Sequence, residues 1–205
     1  MNIKGTRARA VAGIGAMAAV VSVYAFVQTT TEQRYRCWDG SLEANTRDCS
    51  TPHARPGLFW LFPSLASASG CELTVPIKSR KTAVYVCELH APQDRYLIRY
   101  TAWTDTESAA VYYDEQYASE PTALVLGDQR VGDEWMTSDH RPEQGMPFKM
   151  SGAFYALPFS WSVEASSKPA LERARHSELV IREVDHWNYD RELGFWARLA
   201  HGLSP

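Results

Sequence analysis

The stretch CELTVPIKSRKTAVYVCELHAPQDRYLIRYTAW, residues 71–103, decides the fold class. Runs of β-favouring residues at 72–77 and 82–89 flank the polar turn Lys78-Ser79-Arg80-Lys81, and the second run alternates at Val84 and Val86. After a turn at Gln93-Asp94 comes a third run, 96–103, with Tyr96, Ile98 and Tyr100 at two-residue spacing on one face. Three consecutive strands joined by short turns predict an antiparallel meander, because parallel neighbours need a crossover of about a dozen residues or more.

Downstream, Thr104-Asp105-Thr106-Glu107 has the form of a capping box, in which a hydroxyl and a carboxylate satisfy the first backbone donors of a helix. Ala109, Ala110, Tyr113 and Tyr117 fall on one side of that helix, which must end before Pro121. Further strands are predicted at 123–126, 130–137 and 148–156, followed by the strand-like SWSVEAS at 160–166. Ser167 and Pro169 open a helix running to about Ser177. LVIREV, 179–184, fits either its continuation or a last strand. Tyr189, Leu193, Trp196 and Leu199 recur at helical intervals in the final stretch, 187–202. The predicted class is α+β: an antiparallel sheet with two or three helices packed on one face.

Upstream of Cys71 the pattern changes. Residues 37–71, containing CWDGSLEANTRDC and PGLFWLFPSLASASGC, are rich in Gly, Pro, Ser and aromatics without sustained periodicity, and predict an irregular, disulfide-bounded loop region. The cysteines are four: Cys37, Cys49, Cys71 and Cys87. Of three possible connectivities, spacing favours Cys37 with Cys49, closing a short polar loop, and Cys71 with Cys87, joining neighbouring strands. Each bridge contributes roughly 2–4 kcal/mol by restricting the unfolded chain. A metal site is not expected, since no two cysteines stand two to four residues apart and no histidine pair has ligand spacing. No cofactor motif is present either.

The amino end sets the compartment. Residues 10–27, AVAGIGAMAAVVSVYAFV, carry no charge and follow Lys4, Arg7 and Arg9. Their length just reaches that of a membrane-spanning helix. Flanking cations stay in the cytoplasm, which sends the carboxyl side across. A cleavable signal peptide, with Val23 and Ala25 forming the small-residue site, is the competing reading. The expected organisation is a cytoplasmic basic tail at 1–9, a transmembrane signal anchor at 10–27, a stalk at 28–36 and an extracytoplasmic domain at 37–205.

Taking the three leading cations from the chain's 21 leaves 18 Lys and Arg against 24 Asp and Glu in the remainder. That acidic balance, with no basic run, argues against a nucleic-acid partner, whose phosphates demand clustered cations. With 45% apolar and 22% charged residues, the chain is able to bury a core and is not disordered.

The block Cys37-Trp38-Asp39-Gly40, a second cysteine at Cys49, then Gly57-Leu58, Trp60, Phe62-Pro63-Ser64 and Cys71 is similar to extracytoplasmic regions of actinobacterial membrane proteins. Among these are regions that follow the transmembrane helix of some receptor-like serine/threonine kinases. The resemblance covers about 35 residues firmly and implies a sensing or interaction module of the envelope, not a chemistry. A kinase domain before the span is not expected here.

Trp38, Asp39, Trp60 and Phe62 are therefore candidate ligand or partner residues, and Trp196 a candidate contact for an envelope protein. As alternatives, such aromatics pack over disulfides and core, and an amphipathic carboxyl-terminal helix packs on the sheet. Asp139-His140 and Asp185-His186 are adjacent, but adjacency does not make a triad and no nucleophile motif accompanies them. Asp133, Glu134 and Asp139 are carboxylates whose use as an acid/base pair depends on their separation in space. The chain is expected to be a membrane-anchored binding or sensor-like module, not an enzyme. The alternatives are a structural component of an envelope complex, or a secreted hydrolase.

Overall fold

The computed structural model describes residues 35–74, 80–91, 94–141 and 144–183. The expected anchor, the basic tail, most of the stalk, the final helix and Trp196 lie outside these residues. Among the described residues no helix is long and apolar enough to cross a membrane.

The chain begins with a ribbon of β1 (Tyr35–Arg36) and β2 (Leu42–Glu43), paired antiparallel. The CWDG turn joins them: Cys37 N–H donates to the Ser41 carbonyl at 2.9 Å, and Gly40 takes a φ of 86° that a side chain would resist. The Cys37–Cys49 bridge pins this ribbon to the start of the domain.

Two helices follow, α1 (Ala54–Leu61) and α2 (Pro63–Ser67). The sequence reading of 37–71 as wholly irregular is corrected here. GLFWLF shows no apolar stripe because a helix wedged between a sheet and its neighbours is apolar on most faces. Leu58, Leu61, Phe62 and Leu65 are all buried.

The main sheet contains β3 (Cys71–Thr74), β4 (Lys81–Ala91), β5 (Asp94–Trp103), β6 (Thr122–Leu126), β7 (Gln129–Thr137), β8 (Phe148–Phe154) and β9 (Phe159–Ala165). Their spatial order is β3-β4-β5-β9-β8-β7-β6, and every pairing is antiparallel. Two meanders therefore meet at the β5–β9 seam. Cys71 stands directly opposite Cys87 in the β3–β4 register, and the disulfide crosses that pair. Both predicted bridges are present.

Alternation divides each strand between two faces. One face carries Ala83, Tyr85 and Cys87, then Ile98 and Tyr100, then Phe159, Trp161 and Val163, all buried in the main core with Phe154. Val84 and Val86, which the sequence suggested as the patterned face of their strand, are half-buried on the other side. Over the first face lie α1, α2 and α4 (Lys168–Arg173), the last continuing as a π-turn through Glu178. Ser167 caps α4 by accepting from Ala170 N–H.

The expectation of helices on one face only is also corrected. Helix α3 (Thr106–Gln116) packs on the opposite face, where Tyr113 meets Ser160 and Tyr117, just past its end, meets Ser151. β9 is buried along its whole length, so both of its sides require cover. Ser151 and Ser160 leave the room that these tyrosines, Trp103 and Trp135 fill as a second cluster. The cap of α3 is Asp105, whose Oδ1 accepts from Ser108 N–H at 2.7 Å, one residue beyond the Thr104 predicted.

Residues 179–183 are neither helix nor strand. They are held by α1 and α2 instead: Arg182 N–H donates to the Leu61 carbonyl, and Val180 N–H to Ser64 Oγ.

Gly152 faces Trp161 across the β8–β9 pair, and a Cβ there would lie 2.5 Å from the indole. Gly152→Ala is expected to lower stability by about 1–3 kcal/mol, because the packed indole has nowhere to move. Urea denaturation measures this, and an unchanged midpoint would contradict the packing described.

Candidate functional site

On the face shared with α3, the helix covers only the part of the sheet over Ser151 and Ser160. Beyond it lies a cavity of about 220 Å³ whose floor is formed by Thr101, Ser162 and Glu164. Lys81, Arg99, His140, Arg141 and Lys149 surround that floor, with Tyr112 and Gln116 of α3 at one side. Among the described residues, four basic side chains and one histidine thus border a single carboxylate, in a domain whose overall balance is acidic.

The register explains how the charges meet. Lys149 is the direct partner of Glu164 across β8–β9, while Arg99 is two residues from its partner Leu97 across β5–β9. Directly opposed and diagonal side chains share a face within reach of long side chains. His140 and Arg141 come from the loop after β7, which is tied back by His140 N–H donating to the Pro147 carbonyl.

Glu164 is fully buried. It is ion-paired with Arg99, lies 3.2 Å from His140 Nε2, and has Arg141 at 4.0 Å from its second oxygen. Removing a carboxylate from water costs several kcal/mol, so it is retained only among such partners. One oxygen, Glu164 Oε2, still has no hydrogen-bond partner among the described residues, and neither has His140 Nε2.

Lys149 behaves differently. It is 8% exposed, yet no carboxylate of the described residues lies within ion-pairing distance of its ammonium. Its nearest aromatic contact is the Tyr117 ring, at 5.9 Å. Burial pushes its pKa down to about 8 against the pull of Glu164, and repulsion from Arg99, Arg141 and Lys81 adds to the effect. Burial, followed by the Lys149 charge, also holds His140 below its ordinary value, against the pull of Glu164. Its imidazole is therefore neutral at pH 7.

Buried cations with unused donors bind oxyanions such as carboxylate or phosphate. Among the described residues no group of three or more His, Cys, Asp or Glu side chains is placed to hold a metal ion.

A larger cavity, of about 430 Å³, opens on the opposite face among Ser64, Ser67, Leu89, Tyr100 and Glu178. Two of its serine hydroxyls are engaged internally: Ser64 with Tyr100, and Ser67 donating to the Pro63 carbonyl. No Lys or Arg of the described residues borders it.

The residues singled out from sequence lie elsewhere. Trp38 Nε1–H donates to Ser50 Oγ at 3.0 Å, and its ring meets His53 edge-on. Asp39 accepts from Ser41 N–H and the Ser50 hydroxyl, and its carboxyl lies below the usual range chiefly because of the Ser41 backbone bond. Trp60 lies beneath Arg182, and Phe62 is fully buried between Tyr100 and Phe154. The structure brings Trp38 and Asp39 together at the disulfide loop, and Trp60 and Phe62 at the core. None of the four borders the cationic cavity.

Asp133 and Glu134 are neighbours on β7 and point to opposite faces, Asp133 to Arg130 and Tyr155, Glu134 to Arg175. They do not form an acid/base pair. His140 Nε2 stands beside Glu164, not beside its neighbour Asp139.

No family model matches the chain, and no curated protein or solved structure is significantly similar to it.

The depressed pKa of Lys149 has a thermodynamic sign. Between about 8 and the ordinary lysine value the unfolded chain binds more protons at this site, so its contribution to stability rises with pH across that window. Lys149→Met is expected to remove the rise and to gain about 1–3 kcal/mol at pH 7, where wild type holds a buried charge without an ion pair among the described residues. Urea denaturation at pH 7 and pH 9.5 measures both effects. A variant less stable than wild type at pH 7 would contradict the charge environment described.

Proposed function

We propose that the described domain is an extracytoplasmic binding module, sensor-like and held at the membrane by residues 10–27, that takes a small oxyanion into the cavity beside α3. One observation carries this reading: Lys149, a buried cation without a carboxylate partner among the described residues, stands among Arg99, Arg141 and Lys81 at a cavity wall. Proteins rarely keep such a group dry without a use for it.

The two disulfides are consistent with a location outside the cytoplasm, where bridges persist. The apolar segment behind Lys4, Arg7 and Arg9 supports a tether on that side. The likeness of the CWDG block to actinobacterial extracytoplasmic regions supports the same compartment. Binding is favoured over catalysis by the chemistry of the wall. Every cysteine is in a disulfide, and His140 Nε2 holds no hydroxyl to activate among the described residues.

The full chain in detergent micelles, heated with millimolar inorganic phosphate or with sodium chloride of equal ionic strength, tests the reading. At about ten times the dissociation constant a ligand adds roughly 1.4 kcal/mol. That raises Tm by about 3–6 °C for a chain of this size, and Lys149→Met with Arg141→Ala abolishes the rise. Equal Tm in the two salts would contradict an oxyanion site. Alkaline phosphatase fused after Pro205 tests the compartment: activity is expected, and an inactive fusion would contradict it.

A further inference from the structure

Resting on the oxyanion reading, we infer that the ligand carries a hydrogen-bond donor beside its anionic group: a hydroxylated carboxylate or phosphate, not a bare oxyanion. Glu164 lines the same cavity as Lys149 and stands directly across the strand pair from it. Its Oε2 is buried without a hydrogen bond among the described residues, and Arg141 comes no closer than 4.0 Å.

An ionised carboxylate accepts several hydrogen bonds, and a buried acceptor left unsatisfied is costly. A bare oxyanion at Lys149 leaves that oxygen unsatisfied and adds a second negative charge beside it. A ligand with a neighbouring hydroxyl removes both penalties. Its anionic oxygens take the ammonium of Lys149 and the guanidinium of Arg141, and its O–H donates to Glu164 Oε2. Selectivity follows from the site's own unmet acceptor, the kind of buried polar group that discriminates most strongly against an analogue lacking its partner. The volume, about 220 Å³, lies below that of drug-sized pockets and suits a small metabolite.

The test compares matched pairs by calorimetry on the full chain in detergent micelles: glycolate with acetate, and glycerol phosphate with methyl phosphate. At least one hydroxylated member is expected to bind tenfold or more tightly than its parent, and the pair that shows this identifies the anionic group. Lys149→Met weakens both members alike, whereas Glu164→Gln narrows the gap between them. If Glu164→Gln does not fold, the wild-type pairs decide alone. Parents binding as tightly as their hydroxylated partners in both pairs would overturn this inference and leave the oxyanion site standing. Binding by no member of either pair would overturn the oxyanion site itself.

Discussion

A carboxylate sealed inside a sheet is among the costlier things a small domain can hold, and the charged face of this one is organised around Glu164. Arg99 on β5, His140 and Arg141 on the loop after β7, and Lys149 on β8 all face it. Those groups come from both meanders, so the charge constellation exists only once the β5–β9 seam has formed. Glu164 thereby ties the site to the topology.

The space next to it has an equally local cause. β9 alternates large apolar residues toward the main core with Ser160, Ser162 and Glu164 toward the other face. Small hydroxyl residues there, with Ser151 alongside, admit the rings of α3. Trp103 Nε1–H donates to Ser160 Oγ, and the Tyr113 hydroxyl shares the same oxygen. Burial and these bonds fix the helix over one half of the face, with Tyr117 pushed to a pKa of about 12 by loss of solvent. Because α3 stops at Gln116, the cavity walled by Arg99, Arg141 and Lys149 lies beyond its end. The helix is thus both a lid on the aromatic cluster and a wall of the cavity.

The strands and both disulfides were legible because their signals are local: two-residue alternation in 96–103, turn residues at their ends, an even cysteine count beyond an apolar segment. The helices of 54–67 were not, since they are short, eight and five residues, and the unbroken apolar run GLFWLF hides the helical period. Nor was the second helical layer, which depends on β9 being a central strand. The site was the least legible part. Lys149 in FKMSGAF and Glu164 in SWSVEA are charges interrupting strands of small and apolar residues, a usable signal for a buried pair. Which charges converge on them, and the orphaned Glu164 oxygen, follow from long-range pairing that spacing does not encode. Trp38 and Asp39, prominent in the sequence, build a turn beside a disulfide.

The most direct measurement is anomalous diffraction from crystals of the protein equilibrated with selenate, a heavy oxyanion of phosphate-like shape. A selenium peak between the Lys149 ammonium and the Arg141 guanidinium, on the α3 side of the sheet, is the predicted result. A selenium peak absent there, in crystals whose surface cations do show it, would contradict the assignment of this cavity as an oxyanion site.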